Sequence, residues 1–267
     1  MSGVVPLIAV NVFRESVRDK VLYNLVFFAV LLIGTSYLIG ALTAGQDIKI
    51  IKDLGLAATS VFGLFIAVFI GIGLVSKEVE RRSIYALLSK PIRRQEFIVG
   101  KYLGLVLTLL VNISVMTAAI YLVLAGMASL GGGWMTPERP ALDPLLLKAI
   151  LFIFLQLMIV TAIALFFSTF SSPMLSAALT FGLYVIGHFN ADLKNFENVI
   201  DSRPAVYLAR ALYYLLPNLA PLDIKSQIVH GEPVSWSYIG VNTAYGLLYI
   251  GALVLASVFV FSRKDFK

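Results

Sequence analysis

The stretch Ser76–Gly104 reads SKEVERRSIYALLSKPIRRQEFIVGKYLG and is the densest group of charges in a chain that is otherwise almost entirely apolar. Pro91 has no amide hydrogen and disfavours a helical residue before it, so a helix that begins at Ser76 should end near Ser89. One face of this helix is apolar and the other is charged. The apolar face comprises Ile84, Leu87 and Leu88, and the charged face comprises Lys77, Glu78, Arg81 and Arg82. The stretch therefore predicts an amphipathic helix held at a membrane surface.

Both ends of the stretch fit this interpretation. Ser76 can cap the helix, and Glu78 and Glu80 are favourably placed at the positive end of its dipole. After the break at Pro91 the sequence leads to Lys101, whose long side chain we expect to extend to the headgroups while its neighbours enter lipid. The alternative is a solvated loop whose charges only orient the protein, but such a loop needs no apolar stripe. We therefore predict that the stripe docks on a partner surface.

The composition indicates an integral membrane protein. Of the 267 residues, 59% are hydrophobic and 13% are charged, and the mean hydropathy of +0.90 lies far outside the range of soluble domains. The sequence contains no cysteine, which excludes disulfides, thiolate metal sites and cysteine nucleophiles.

The apolar runs predict an all-α membrane protein with six transmembrane helices in a single transmembrane domain, residues 1–267. An interfacial helix is predicted at 5–20, because its apolar and polar faces are separate and no small-residue cleavage site follows the first apolar run. Its apolar face comprises Leu7, Val10, Phe13 and Val17. The spans are predicted at about 21–43, 54–75, 102–127, 145–167, 174–189 and 238–261, with a polar turn from Gln46 to Asp53 between the first two.

Two further segments complete this organisation. The uncharged run from Ala149 to Asn190 would stretch roughly 60 Å as one helix, twice the thickness of the hydrocarbon core, so it must hold two spans with a break at Ser168–Pro173. The outer segment 190–237 is predicted to contain a helix from Pro204 to Leu216, stopped by Pro217.

The distribution of lysine and arginine predicts the orientation. Six spans put both termini on one side of the membrane. On that side lie Arg14, Arg18, Lys20, Lys77, Arg81, Arg82, Lys90, Arg93, Arg94, Lys101, Arg263, Lys264 and Lys267; the other side has the fewer Lys49, Lys52, Arg139, Lys148, Lys194, Arg203, Arg210 and Lys225. The first side is predicted to be cytoplasmic. The net charge of +6 is therefore an orientation signal and does not indicate a nucleic-acid partner.

The charged stretch resembles the permeases of type-2 ATP-binding-cassette (ABC) exporters. Their second span runs into an E-x-E-x-G-[ST]-hydrophobic pattern, a Leu-Leu-Ser-x-Pro turn, an arginine-rich segment and Gly-Lys-hydrophobic-Gly. The corresponding residues here are Glu78, Glu80, Ser83, Leu87, Leu88, Ser89, Pro91, Arg93, Gly100, Lys101 and Gly104. Arg82 stands where the family usually has glycine, which implies a less tightly turned backbone at this point.

The resemblance implies a cytoplasmic coupling helix in the segment 76–101, between the second and third spans, which seats in a cleft of an ABC ATPase subunit. The residues that would couple to the ATPase are Glu78, Glu80, Arg81, Ile84, Leu87, Leu88 and Pro91. It further implies a second permease copy, identical or related, in the cytoplasmic membrane. ATP and magnesium would then bind to the partner ATPase, with no cofactor on this chain.

The sequence contains few motifs that indicate a catalytic or nucleotide-binding function. It contains no G-x-x-x-x-G-K-[ST], H-E-x-x-H or G-x-S-x-G motif, so we predict no enzymatic activity and a separate ATPase. The predicted spans have no charged residue at their centres, which disfavours an ion-driven carrier. The polar residues that are candidates for an inner substrate path are Tyr37, Asn112, Thr117, Gln156 and Thr161; the alternative for most of them is a hydrogen bond between helices.

One alternative function belongs to another class. His188 and His230 are the only histidines, and His188 with Asp192, or His230 with Glu232, would offer a metal ligand pair or a proton carrier. A membrane protein without transport activity, either an assembly scaffold or an intramembrane enzyme using His188 and Asp192, is therefore the second hypothesis.

Overall fold

The computed structural model describes residues 3–42, 47–80, 93–130, 135–136, 139–140, 142–189, 207, 213 and 216–263. Side chains are described for these residues except 47, 74–80, 130, 135–136 and 139–140. Apart from one short strand pair, the regular structure in these ranges is helical.

Eight α-helices occur within the described ranges. They are α1 (Val4–Val17), α2 (Lys20–Ala41), α3 (Asp47–Glu80), α4 (Arg94–Leu130), α5 (Leu146–Ser168), α6 (Pro173–His188), α7 (Lys225–His230) and α8 (Trp236–Arg263). The antiparallel strands β1 (Met135–Thr136) and β2 (Arg139–Pro140) form a hairpin between α4 and α5, and Ala220–Leu222 forms a 3₁₀ turn before α7.

Five helices in the described part of the chain are long and apolar enough to cross a membrane, namely α2, α3, α4, α5 and α8. The sixth apolar helix, α6, has 16 residues and is about 24 Å long at 1.5 Å per residue, less than a typical hydrocarbon core of about 30 Å. The break predicted at Ser168–Pro173 lies where α5 ends and α6 begins, with proline in the first turn of α6, a favourable position because its missing N–H has no helical acceptor there.

The contacts show that successive apolar helices run in alternating directions. In α3, Gly55 faces Ile120 of α4, whereas Gly71 faces Ala164 of α5. Phe69 of α3 packs against Phe181 of α6. We call the end at which α4 begins and α8 ends the basic end, and the end with the β1–β2 hairpin the hairpin end.

Helix α5 forms the centre of the bundle. It is apolar on all sides, so no face of it prefers water, and it is buried against its neighbours. Small residues allow this close packing: a Cβ atom at Gly63 would clash with Leu157, and one at Gly246 of α8 would lie 2.9 Å from Leu155. By contrast, α2 and α8 are mostly exposed and form the periphery.

The predicted polar turn from Gln46 to Asp53 is wrong in its described part. Helix α3 begins at Asp47, so Lys49, Lys52 and Asp53 are helical. The charge of Lys52 is tolerated there because an aspartate pairs with it, as described below.

The predicted start of a separate helix at Ser76 is also wrong. Helix α3 continues through Ser76 to Glu80, and no glycine or proline lies between Gly73 and Pro91 to stop it. Ser76 is therefore an interior helical residue and not a cap.

The predicted helix from Pro204 to Leu216 lies outside the described residues except for Tyr207, Tyr213 and Leu216. The outer segment instead contributes the 3₁₀ turn and α7, which the sequence analysis did not predict. These elements pack against α3 and α5 and add Leu219, Leu222, Ile224 and Ile228 to the core.

Candidate functional site

The predicted coupling segment is described only at its two ends. Glu78 and Glu80 belong to the last turns of α3, and their side chains are not described. Arg81, Ile84, Leu87, Leu88 and Pro91 lie outside the described residues. Their docking role therefore stays a prediction, and the described residues at the C-terminal end of the segment, from Arg93 to Lys101, give the geometry of its exit into α4.

The exit of the segment is fixed to the end of α8. The Nη1 atom of Arg94 donates to the carbonyl oxygens of Ser262, at 2.7 Å, and Phe261, at 3.4 Å. These carbonyls belong to the last turn of α8, where a positive charge is favourable. One turn further along α4, Phe97 stacks on Phe261 with a 5.7 Å centroid distance.

Lys101 does not extend to the headgroups, and this prediction is wrong. Only 1% of the residue is exposed, and its Nζ atom lies 4.8 Å from the centroid of the Phe97 ring. A cation over an aromatic face is stabilised by the ring quadrupole, which offsets part of the cost of removing it from water. The position is enclosed because α1 packs on this turn of α4.

Helix α1 contacts α4 at two glycines. A Cβ atom at Gly100 would lie 2.8 Å from the Ile8 side chain, and one at Gly104 would lie 2.6 Å from the backbone oxygen of Ala9. Such distances leave no room for a side chain, so the glycines allow the two backbones to approach. We call the residues Arg94, Phe97, Gly100, Lys101 and Gly104 the basic junction, because they connect α4 to both α1 and α8.

Part of α1 is exposed in the described structure. Leu7 and Val10 are exposed by 74% and 43%, whereas Val12 and Ser16 are buried toward the bundle. Of the apolar face predicted from the sequence, Leu7 and Val10 are therefore available to lipid, whereas Phe13 and Val17 are half-buried. Such a face is typical of an interfacial helix.

The predicted path residues are not brought together into one site. Asn112 donates to the carbonyl of Thr108, at 2.6 Å. Thr117 and Thr161 bond in the same way to the carbonyls four residues earlier, Ile113 and Leu157. Tyr37 lies half-buried on peripheral α2. These hydroxyl and amide groups find hydrogen-bond partners within their own helix. Their role in a substrate path stays a prediction.

Gln156 makes a contact between helices. Its Nε2 atom lies 2.7 Å from Nε2 of His188, while Nδ1 of His188 lies 2.8 Å from the carbonyl oxygen of Tyr184. A carbonyl only accepts, so Nδ1 carries the hydrogen and Nε2 accepts from the glutamine amide. Both ring nitrogens of His188 are thus hydrogen-bonded to neutral groups.

The alternative site at His188 gains no support from this arrangement. Asp192 lies outside the described residues, and the described part of the chain contains no group of three potential metal ligands. His230 bonds to the backbone oxygen of Ser226 on its own helix, at 2.8 Å.

Sequence reasoning missed a buried ion pair at the hairpin end. Nζ of Lys52 lies 2.9 Å from Oδ2 of Asp143, and both residues are buried. The other carboxylate oxygen accepts from the backbone N–H of Leu145, and the Asp143 carbonyl accepts from the Tyr121 hydroxyl. The pair therefore ties α3, α4 and the start of α5 together. The Asp-Pro dipeptide before α5 was a usable turn signal, but it does not identify Lys52 as the partner.

The apolar helices, their alternating directions and the basic junction define a multi-pass helical membrane protein. The family model described as "ABC-2 family transporter protein" matches residues 7–266, and the chain belongs to this family. The resemblance seen in the charged stretch is thus confirmed. A comparison with curated proteins found no match. Membership indicates a membrane permease of an ABC transporter, a class that operates with an ATPase partner.

Proposed function

We propose that this chain is the permease subunit of an ABC exporter and moves a substrate outward across the cytoplasmic membrane. The observation that carries the proposal is the family match, which covers residues 7–266 and so nearly the whole bundle. The charged segment supports it, because it lies between α3 and α4, where the resemblance places the coupling helix.

Energy for transport comes from a separate cytoplasmic ATPase in this proposal. The sequence contains no G-x-x-x-x-G-K-[ST] motif, the phosphate-binding loop whose backbone amides and lysine hold ATP. ATP and magnesium therefore bind to the partner chain, and this chain performs no catalysis.

The basic end faces the cytoplasm in the proposed orientation, because lysine and arginine favour that side. The six apolar helices each cross the membrane, and both termini are cytoplasmic. The short α6 completes its crossing with the help of the outer segment: the backbone N–H of Leu219 donates to the carbonyl of Gly187, at 2.9 Å. That bond satisfies a backbone group at the end of α6, as a nonpolar environment requires.

The basic junction transmits movement of the coupling segment to the membrane helices. A displacement of the coupling segment acts directly on Arg94, and Arg94 is bonded to the end of α8. Gly100 and Gly104 keep α1 against the same turns of α4. Closure of the ATPase pair therefore moves α1, α4 and α8 as one group, and a second permease copy encloses the substrate route.

Removal of the apolar stripe tests the proposal. The variant Leu87→Ala/Leu88→Ala loses contacts worth about 2 to 5 kcal/mol each when well buried, so we expect loss of ATPase recovery in a pull-down at unchanged membrane abundance. The matched control is Leu248→Ala/Leu255→Ala, which shortens two exposed leucines of α8 and should leave recovery normal. Equal recovery with both variants would count against a coupling helix here.

Charge reversal gives an independent measure of the same contact. Glu78→Lys/Glu80→Lys should weaken ATPase recovery in a salt-dependent way, because exposed charges are screened over about 8 to 10 Å at ordinary ionic strength. The alternative of an orientation-only segment expects no effect of the leucine variant, since that variant alters no charge.

A further inference from the structure

The outward side of α1 carries apolar residues at one end and arginines at the other. Leu7, Arg14 and Arg18 follow one another at intervals of seven and four residues, which places their side chains within about 40° of one another around the helix axis. Val10 lies about 60° from Leu7, and Arg18 continues the helical conformation at the C-terminal cap. All four residues are exposed, and we call them the outer face of α1.

The acidic residues of this region lie on another side of the helix. Glu15 is turned about 100° from Arg14 around the axis and lines a cavity of about 190 Å³ next to α3. Asp19 lines the same cavity, and one of its carboxylate oxygens accepts from the backbone N–H of Val21, where Asp19 caps α2. The outer face of α1 therefore contains positive charges and no negative one.

The side of α1 opposite the outer face packs on the bundle. Val12 and Ser16 are buried, and a Cβ atom at Gly104 of α4 would lie 2.6 Å from Val12. Within the described residues, the guanidinium groups of Arg14 and Arg18 have no ion pair and no hydrogen bond. Both arginines are thus presented to a partner outside the bundle.

The start of α2 places the outer face at the membrane surface. Helix α2 begins at Lys20, directly after the Arg18–Asp19 turn, and is long and apolar enough to cross a membrane. Its residues Val21, Tyr23 and Phe27 are each more than half exposed, so they face lipid. Arg18 therefore lies just outside the hydrocarbon core, at the level of the headgroups.

An anionic phospholipid matches both ends of the outer face. A guanidinium group binds a phosphate through two parallel N–H donors, while leucine and valine side chains are stabilised at the boundary of the acyl chains. An acidic protein surface would pair with the arginines but would offer Leu7 and Val10 no apolar environment. Lys20, Arg93 and Arg263 are also exposed at the basic end, and such a group of cations attracts anionic lipid to this leaflet.

We propose that the outer face of α1 binds an anionic phospholipid of the leaflet at the basic end. The phosphate contacts Arg14 and Arg18, and the upper parts of the acyl chains contact Leu7 and Val10. The bound lipid holds α1 in the position in which its buried side packs on α4, so anionic lipid tightens the α1–α4 contact. This inference rests on the geometry of α1 and holds whether or not the chain transports a substrate.

Fluorescence quenching at a single position measures the lipid preference of the outer face. The chain has no cysteine, and Asn11 is exposed on the same side of α1, so Asn11→Cys can carry a bimane fluorophore at the site. The purified full chain is placed in phosphatidylcholine vesicles with increasing fractions of brominated phosphatidylglycerol or brominated phosphatidylcholine. We expect half-maximal quenching at a lower fraction of the phosphatidylglycerol. Arg14→Gln/Arg18→Gln should reduce this preference about fivefold for each arginine, the effect of one basic residue near an anionic membrane.

Two controls test whether the preference belongs to α1. Arg93→Gln/Arg263→Gln removes the same number of exposed arginines from the same end and should leave the preference at position 11 intact. A fluorophore on Ser172→Cys, which is also exposed at the basic end, should be quenched nearly equally by the two lipids. A preference at position 172 as strong as that at position 11 would contradict a site on α1.

The effect on the α1–α4 contact is measured with Ser16→Cys, which lies on the buried side of α1. A water-soluble maleimide should label it more slowly in nanodiscs that contain phosphatidylglycerol than in nanodiscs of phosphatidylcholine alone. Arg14→Gln/Arg18→Gln should remove this difference. A second reporter, Ile159→Cys in buried α5, must stay unlabelled in the arginine variant, which separates displacement of α1 from unfolding.

The proposal is overturned if the two brominated lipids quench position 11 equally in the chain that keeps both arginines, a comparison that requires no arginine variant to fold. It is also overturned if the preference survives Arg14→Gln/Arg18→Gln, or if Ser16→Cys is labelled at the same rate in both kinds of nanodisc. None of these measurements involves an ATPase, so their outcome is independent of the proposed function.

Discussion

At the scale of single residues, the buried charges carry the largest individual effects. Lys52 and Asp143 are at most 6% exposed, and their 2.9 Å contact compensates two charges that would otherwise be unsupported in a nonpolar interior. Breaking a buried ion pair by removing one partner typically costs about 3 to 5 kcal/mol, because the remaining charge stays buried.

Asp143→Asn isolates this effect. Asparagine keeps an oxygen that can accept from the Leu145 N–H, and the Asp143 carbonyl contact with Tyr121 is a backbone contact, so the substitution removes the charge and the oxygen that accepts from Lys52. We expect a clearly lower unfolding temperature in detergent, and a smaller loss for Lys52→Met/Asp143→Asn, in which no lone charge remains. Equal unfolding temperatures of the wild type and Asp143→Asn would show that the pair is unimportant for stability.

The same pair shows what limits inference from sequence. Lys52 and Asp143 are separated by 91 positions, and no local pattern links a lysine near one helix start to an aspartate before another. The prediction that Lys101 extends to the headgroups was wrong for a related reason. It was inferred from the residues next to Lys101 in the sequence, whereas the burial of Lys101 depends on α1 and on Phe97. Tertiary contacts determined both positions.

At the scale of helices, the local sequence predicted the structure better than it predicted the tertiary contacts of single residues. The break at Ser168–Pro173 follows from length and from proline chemistry, both readable along the chain. The predicted interruptions at Asp53 and Ser76 were wrong because charge was taken as a boundary, although α3 continues through both positions. Charged residues do not end a helix unless its backbone is blocked.

The α1–α4 contact gives a prediction at this scale. Gly104→Ala places a methyl group 2.6 Å from the Ala9 oxygen and should push α1 away, whereas Gly126→Ala in the same helix meets no atom within 4 Å and should be neutral or slightly stabilising. Displacement of α1 can be followed by maleimide labelling of Ser16→Cys, a position 1% exposed in the packed helix. We expect faster labelling with Gly104→Ala only; the same increase with Gly126→Ala would argue against a specific close contact.

At the scale of the whole molecule, alternation of the helices is the main support for the proposed topology. Gly63 and Gly71 face Leu157 and Ala164 in the same order, so α3 and α5 run parallel. Gly55 faces Ile120, whereas Gly71 lines a cavity with Leu105, so α4 runs opposite to α3. Helix α6 returns from the end of α5 after residues 169–172 and packs Phe181 against Phe69. Only α6 falls short of a full crossing in length. If it ended inside the membrane without help, its terminal carbonyls would lack partners; the bond from Leu219 to Gly187 satisfies one of them.

The proposed topology has six membrane crossings with the basic end in the cytoplasm. Because the chain contains no cysteine, single introduced cysteines can test it by labelling. Leu142 and His230 lie near the hairpin end, and Ser172, between α5 and α6, lies at the basic end; all three are exposed. In intact cells, an impermeant maleimide should label Leu142→Cys and His230→Cys, and should label Ser172→Cys only after the membrane is permeabilised. If α6 does not cross, the outer segment stays on the side of Ser172, because α6 connects the two. His230→Cys would then share the protection of Ser172→Cys while Leu142→Cys remained accessible, and five crossings would replace six.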